Sequence, residues 1–238
     1  MIDQIIEQDT AINYPEFHIL EHDCFPAEPF NEKQFAELLS NDYWTARIDG
    51  ELAGYIEAKR MPDRLHLSRL AVHTRFRHKG LGGRLVDQVS DLARRINSSC
   101  ITLTVRTNNL PAYQLYLRKG FSIKSYKYRF AIPVHFLPET SPVEFVQVGE
   151  GRNRPISFKL NGQEIASGKF NIQVGGCKDF ELTNPDADIL AVLTAIKIHL
   201  HPEGKPVYIM TGQPSAIKAL QALPFAEITE LADMIKLP

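Results

Sequence analysis

The stretch "RFRHKGLGGRL", residues 75 to 85, decides the fold, because it joins a strand-like apolar segment to a segment with helical periodicity. It carries four lysine or arginine side chains and three glycines. Glycines let backbone N–H groups approach an oxygen cluster, and the N-terminus of the following helix adds partial positive charge. Basic side chains also stand at the rim, namely Arg77, His78, Lys79 and Arg84. The stretch predicts an anion-binding loop; the alternative is a solvated basic turn before a helix.

Two common phosphate-binding motifs are absent from this stretch. A Walker A loop requires a glycine, four residues and then Gly-Lys-Ser/Thr, and this stretch has no such run. A dinucleotide fingerprint requires a third glycine where Leu85 stands. What remains is Arg77-x-x-Gly80-x-Gly82, between a strand and a helix. Nucleotide binding at this loop stays an alternative, which predicts thermal stabilisation by ATP or NAD.

The composition sets limits on partners and location. The chain has 238 residues and a formal net charge of −1, which argues against a nucleic-acid partner. Cys24, Cys100 and Cys177 are widely separated and lack metal-ligand spacing, so we expect no metal and a reduced, cytoplasmic protein. The N-terminus does not resemble a signal peptide, and the apolar run "ILAVLTAIKIHL" is too short to span a bilayer, so no membrane partner is expected.

The first half has the pattern of an α/β protein. Two helices are predicted around a proline-broken loop at residues 24–30, then a hairpin turning at Asp49-Gly50. The strand "LHLSRLAV" precedes the glycine-rich loop, and an amphipathic helix and the strand "ITLTV" follow it. Asn109 is a predicted N-cap for the next helix, which Gly120 can end in a left-handed conformation, and the strand "FSIKSYKYRFAI" closes this half.

The second half predicts a smaller α+β domain. The segment "PVHFLPETSPV" contains three prolines, so we place a linker at 136–142 between domains at 1–135 and 143–238. A hairpin at Asn161-Gly162, two helices and further strands follow in an order like that of the first half. Placing Phe225 on Phe121 also places Ala216 on Ala112. The second domain is therefore either a degenerate repeat of the first or an unrelated small fold.

Two motifs in the first half resemble those of a known family. "LSRLAVHTRFRHKGLGGRLVDQVSDLA" is similar to the coenzyme A signature of the GNAT (Gcn5-related N-acetyltransferase) superfamily, an apolar strand followed by Arg/Gln-x-x-Gly-x-Gly/Ala and a helix. "NLPAYQLYLRKGF", from Asn109 to Phe121, resembles the family's Asn-x-x-Ala-x-x-Leu-Tyr-x-x-x-Gly-Phe pattern. The segment "CFPAEPFNEKQF" is further similar to ribosomal-protein alanine acetyltransferases. The resemblance covers roughly residues 1–135.

The resemblance implies an acyl-CoA N-acyltransferase fold with a splayed central sheet, and acetyl-CoA as co-substrate without a metal. In the family the pyrophosphate lies in the loop, and the pantetheine arm pairs with the end of the preceding strand. The implied cofactor-binding residues are Leu70, Ala71, Val72, Arg77, His78, Lys79, Gly80, Leu81, Gly82, Gly83, Arg84, Asn109 and Tyr116. The backbone N–H of Val72 would polarise the thioester carbonyl, and Tyr116 would protonate the CoA thiolate as general acid. Asn109 could instead be only an N-cap, and Tyr116 only a core aromatic residue.

The general base and the acceptor stay open at this stage. Glu57 and His66 lie on predicted strands and are candidates to deprotonate the amine, although either could simply face solvent. The acceptor could be a protein N-terminus, a lysine or a small amine. The second half has no glycine pair at the loop-equivalent segment and places Leu220 where Tyr116 stands, so we expect one active site per chain. A homodimer is a further prediction.

Two other functions compete with direct acetyl transfer. The chain could be an acyl-CoA-binding sensor without turnover, with the second half as its output surface. Acetyl transfer through an enzyme thiol at Cys24 would require a lowered thiol pKa, and no surrounding basic pattern predicts one.

Overall fold

The computed structural model describes residues 4–7, 12–149, 153–171, 176–200 and 206–237. The chain divides into two compact units. The first comprises Met1–Lys124 together with Asp233–Pro238, and the second comprises Ser125–Ala232. The predicted boundary at 136–142 differs from this division, because residues around it pack into the second unit and the C-terminal residues belong to the first.

The first unit alternates strands and helices in the order expected from the sequence. Its elements are β1 (Gln4–Glu7), α1 (Tyr14–Cys24), α2 (Glu32–Leu39), β2 (Asp42–Ile48), β3 (Glu51–Arg60), β4 (Leu65–Val72), α3 (Leu81–Arg95), β5 (Ile101–Arg106), α4 (Leu110–Arg118) and the start of β6 (Ser122–Ile132). The hairpin between β2 and β3 turns at Asp49 and Gly50, whose φ angles of 52° and 81° are those of a type I′ turn. Gly120 ends α4 with a φ of 83°, so both turn predictions are confirmed.

The strands of the first unit run in the order β1-β2-β3-β4-β5. Neighbours are antiparallel except β4 and β5, which are parallel. Helices α1 and α2 cover one face with an apolar core that includes Phe17, Leu38 and Tyr55, each fully buried. The amphipathic stripe of α3 is buried as its spacing predicts.

Strands β4 and β5 separate soon after they meet, and this separation creates the site. Within the described residues they are in register only at Leu65 with Ile101 and His66 with Thr102. Strand β4 also contains a bulge, because Leu67 pairs with Ala58 while Arg69 pairs with Glu57. The sheet is therefore splayed between the end of β4 and β5, as the fold prediction requires.

The second unit repeats much of this element order. After most of β6 it contains β7 (Glu144–Gln147), β8 (Asn153–Leu160), β9 (Gln163–Asn171), β10 (Gly176–Leu182), α5 (Ile189–Leu200), β11 (Val207–Thr211), α6 (Pro214–Gln221) and the start of β12 (Glu227–Lys236). Its strands run β7-β8-β9-β10-β11 and then β6, with β10 and β11 parallel. Phe130, Phe158 and Phe180 lie in its core.

Two sequence expectations differ from the structure in this half. The predicted linker at 136–142 is part of the second unit, since Leu137 is buried at 3% exposure and Ser141 Oγ donates to Ala191 O at 2.7 Å. Its prolines resemble those of a linker, but its apolar residues pack inward. The sequence pattern also gives no strand signal at β10, because a register shift between Lys178 and Glu181 breaks its alternation.

Candidate active site

A groove of about 610 Å³ opens in the first unit between the end of β4 and α4. Its walls come from β4, the loop after it, the first turn of α3, the outer face of α4 and the end of α1. The lining residues predicted from the sequence are Leu70, Ala71, Val72, Arg77, His78, Gly80, Leu81, Gly82, Gly83 and Asn109. The structure thus brings most of the predicted cofactor residues to one groove.

The loop between β4 and α3 presents backbone N–H groups to this groove. His78 and Gly80 have φ angles of 63° and 77°, and Gly80 is the N-cap of α3 without a side-chain capping bond. The first N–H groups of a helix have no partner within the helix. With the helix dipole and with Arg77 and His78 beside them, they form a site that suits a phosphate or pyrophosphate.

Glycine leaves room for α4 where α3 begins, because side chains of α4 and of the residue after it lie close. A Cβ on Gly82 would stand 3.3 Å from Leu115 Cδ2 and 3.7 Å from Val72 Cγ2. A Cβ on Gly83 would stand 3.0 Å from Lys119 Cε. The two glycines therefore allow the walls of the groove to approach each other.

The end of β4 turns part of its backbone edge toward the groove. His73 N donates to Ala53 O at 2.9 Å, so His73 bonds toward β3. Because backbone groups alternate in direction along a strand, the N–H groups of Val72 and Leu70 point away from β3, into the opening left by β5. Arg77 Nε donates to Val72 O at 2.9 Å and fixes the loop against this edge. An amide-containing ligand can pair with such an edge as an added strand does.

The wall from α4 is mostly apolar. Asn109 lies at the mouth of the groove, and its Oδ1 accepts from Ala112 N at 3.4 Å as an N-cap. Helical spacing places Pro111, Leu115 and Arg118 on one face, and all three line the groove. These three residues are not among the binding residues predicted from the sequence, although their helical spacing could have identified them.

Tyr116 lies beside the groove without lining it. Its side chain is buried at 6% exposure, and its ring centroid is 5.7 Å from that of Phe121. Burial raises the pKa of Tyr116, so the hydroxyl keeps its proton at neutral pH. A phenol with its ordinary pKa of about 10 is also protonated at neutral pH, so the raised pKa makes this hydroxyl a weaker acid without changing its protonation state.

The loop after α1 contributes another wall, and in relatives this loop is expected to line the acceptor site. Cys24 and Phe25 line the groove. Burial raises the pKa of the Cys24 thiol to about 11, although Arg77 Nη2 stands 4.0 Å from its sulfur. The thiol is therefore protonated at neutral pH, which disfavours its use as a nucleophile.

The remaining predicted residues lie outside the groove. Lys79 and Arg84 are exposed at its rim. Glu57 is buried at 1% exposure, and its Oε1 accepts from Asn41 Nδ2 at 2.7 Å. Its Oε2 has no hydrogen-bond partner among the described residues, and burial raises the pKa of this carboxyl. His66 stands at the other end of β4, with Nδ1 3.1 Å from Thr102 Oγ1.

The second unit has a similar opening, but its own side chains fill it. In the described part of the chain, strands β10 and β11 are in register only at Gly176 with Tyr208 and Cys177 with Ile209. Beyond that point Thr211 Oγ1 donates to Phe180 O at 2.6 Å.

Gln213 closes the same opening with a pair of bonds. Its Oε1 accepts from Leu182 N at 2.6 Å, and its Nε2 donates to Leu182 O at 3.1 Å. The alignment that places Phe225 on Phe121 also places Gln213 on Asn109. In the second unit, the side-chain amide of Gln213 thus occupies the edge of β10. The corresponding edge of β4 in the first unit faces the groove beside Asn109.

The described residues include neither a membrane-spanning helix nor a cluster of metal ligands. In that part of the chain, no helix is both long and apolar enough to cross a membrane. The described ranges also contain no cluster of three His, Cys, Asp or Glu side chains that could hold a metal ion.

The chain is similar to known acetyltransferases in sequence and in fold. Residues 12–121 match the family model of the Acetyltransferase (GNAT) family. An N-alpha-acetyltransferase of Sulfurisphaera tokodaii is 28% identical over 136 residues, which cover 50% of this chain and 74% of that protein. The structure of a GCN5-related N-acetyltransferase from Sphaerobacter thermophilus covers 98% of this chain and 95% of its own, at 15% identity and a TM-score of 0.68. This similarity shows the fold across both units.

A further solved structure resembles only part of the chain. The ribosomal-protein-S18-alanine N-acetyltransferase of Escherichia coli is 23% identical. The match covers 52% of this chain and 81% of that protein, with a TM-score of 0.48.

Proposed function

Because residues 12–121 belong to the GNAT superfamily, the chain is an acetyl-CoA-dependent acyltransferase, and we propose that its acceptor is the α-amine of a peptide or protein. The observation that carries the proposal is the groove, which combines an anion-binding helix N-terminus with a strand edge turned toward it. The N-alpha-acetyltransferase from Sulfurisphaera tokodaii supports the choice of acceptor.

Each part of acetyl-CoA has a matching wall in the groove. We assign the pyrophosphate to the N–H groups of Gly80 to Gly83, with Arg77 and His78 beside them. Lys79 and Arg84 supply further positive charge at the rim. The pantetheine amides pair with the β4 edge from Leu70 to Val72, and Asn109 faces them from α4.

The proposed reaction is a direct transfer. The neutral amine nitrogen attacks the thioester carbonyl carbon, and the N–H of Val72 stabilises the developing oxyanion. The C–S bond then breaks as the amide forms, and the hydroxyl of Tyr116 protonates the departing thiolate. The amine nitrogen loses one proton to water in this step, and the phenolate of Tyr116 takes one proton back from water. This step requires the sulfur and the hydroxyl to come into contact, because Tyr116 is buried and does not line the groove.

The α-amine needs less help to lose its proton than a lysine does. Its ordinary pKa is about 7.7–8.0, against about 10.4 for lysine. The role of Glu57 as base stays a prediction, and because its carboxylate lies off the groove, it would have to act through water. A Glu57→Gln variant with an unchanged pH profile of kcat/KM would remove it from the mechanism.

We assign a structural role to the second unit, as a degenerate GNAT-like repeat without cofactor. The bonds of Thr211 and Gln213 to β10 support this role, because they use backbone groups that a pantetheine arm would need. The expected stoichiometry is one coenzyme A per chain, measured by isothermal titration. The cytoplasm is the proposed location, consistent with three cysteines that are free thiols.

A sensor without turnover is the second candidate, and the position of Tyr116 outside the groove lining favours it. An acceptor panel separates the two functions. Release of coenzyme A from acetyl-CoA is measured with peptides that bear a free α-amine, with the same peptides blocked at the N-terminus and carrying one lysine, and with spermidine. Release that requires the free α-amine supports the proposal. Tight acetyl-CoA binding without release across the panel would support the sensor.

A further inference from the structure

The side chain of Arg69 ties the loop between α1 and α2 to β4. Its Nη2 donates to Glu21 Oε2 at 2.6 Å and its Nε donates to Glu21 Oε1 at 3.2 Å. Nη2 also donates to the carbonyl oxygen of Glu28 at 2.9 Å, in the middle of the loop. A two-pronged arginine–carboxylate pair fixes both orientation and distance, which a lysine cannot do.

The same guanidinium is stacked between two aromatic rings of the loop. Its central carbon lies 3.7 Å from the ring centroid of Phe25 and 4.0 Å from that of Phe30. Both contacts have the geometry of a cation–π interaction. Arg69 therefore contacts the loop near both of its ends at the same time.

Glu21 completes the cluster from α1. Its carboxylate is fully buried and accepts further bonds from the Phe30 N–H at 2.7 Å and the Tyr55 hydroxyl at 2.6 Å. A buried carboxylate with this set of donors fixes the surrounding backbone.

The bulge in β4 explains why Arg69 reaches this cluster. Without a bulge, Leu65, Leu67, Arg69 and Ala71 would share one face of the strand. Because of the register shift, Arg69 pairs with Glu57 and Ala71 pairs with Tyr55. Both side chains therefore lie on the face of β4 opposite to that of Leu67. Arg69 therefore lies on the side of α1, and Ala71, two residues later, lines the groove.

We propose that Arg69 is a positioning residue for the acceptor. It fixes Phe25 as a wall of the groove, so that the amine meets a preformed surface beside the end of β4. The inference rests on the proposed acetyl transfer and extends it, since Arg69 itself does not line the groove and acts through Phe25.

The test replaces Arg69 by lysine, which keeps the charge against Glu21 but loses the fork and the planar stacking. The matched control is Arg60→Lys, because Arg60 makes a similar two-pronged bond to Asp42 on an exposed part of the same unit. Steady-state constants are measured with acetyl-CoA and the peptide of the panel that the wild type acetylates fastest. Hydrogen exchange of the loop amides, including that of Phe30, is measured separately.

For Arg69→Lys we expect the peptide KM to rise about tenfold, with kcat and the acetyl-CoA KM within about twofold of the wild type. The Phe30 amide should exchange faster, and Arg60→Lys should change neither quantity. Equal increases in both KM values, a fall in kcat at constant peptide KM, or unchanged exchange would overturn the proposal.

Failure of the proposed function would be recognised independently. If the wild type acetylates no peptide, exchange and acetyl-CoA affinity still decide the role of Arg69. Faster loop exchange with unchanged acetyl-CoA affinity supports the positioning role, and unchanged exchange overturns it.

Discussion

Replacing Gln213 by alanine tests the closed opening of the second unit. The side chain makes two bonds, at 2.6 Å to Leu182 N and at 3.1 Å to Leu182 O, and Leu182 is only 3% exposed. Each buried polar group left without a partner costs about 1–3 kcal/mol. The variant should therefore lower the free energy of unfolding by about 2–4 kcal/mol, because two backbone groups lose their partner together.

Thermal unfolding followed by circular dichroism measures this loss. For a chain of this size, about 2–4 °C of melting temperature corresponds to each kcal/mol, so a fall of about 5–15 °C is expected. Gln147→Ala is the matched control, because its side chain makes only an exposed 3.5 Å bond to Gly149 O. The turnover per folded Gln213→Ala molecule and the single coenzyme A per chain should both be unchanged. An unchanged melting temperature would refute the reasoning, and so would binding of two coenzyme A molecules by the wild type.

Three further predictions concern the groove. Gly82→Ala should raise the acetyl-CoA KM by roughly tenfold, since its Cβ would stand 3.3 Å from Leu115 Cδ2; an unchanged KM would mean that α3 and α4 tolerate separation. Tyr116→Phe should lower kcat about 10²–10⁴-fold with coenzyme A affinity unchanged in titration, and full activity would exclude Tyr116 as the acid. Cys24, with a pKa raised to about 11, should be alkylated slowly at pH 8 and faster as the pH approaches 11, because only the thiolate reacts. Loss of turnover in Cys24→Ala, together with an acetyl-enzyme burst in the wild type, would contradict direct transfer.

The sequence was sufficient to predict the loop and its neighbours because local chemistry determines them. Gly80 adopts a left-handed conformation, Asn109 caps α4, and Asp49-Gly50 turns the hairpin, each by a property of that residue type. The order of strands and helices around the loop followed from hydrophobic periodicity.

What the sequence could not predict depends on a single inserted residue or on long-range contacts. The bulge in β4 moves Arg69 and Ala71 to the face opposite Leu67, and no two-residue pattern reveals it. The positions of Glu57, which is buried off the groove, and of Gln213, which reaches across to β10, likewise follow only from packing.

The most direct test of the central claim is an internal competition on one peptide. A peptide with a free α-amine and one internal lysine is incubated with acetyl-CoA at neutral pH, and mass spectrometry locates the acetyl group. The account predicts acetylation at the α-amine, with one coenzyme A released for each acetyl group transferred. Acetylation confined to the lysine, or bound acetyl-CoA without any acetylated peptide, would contradict it.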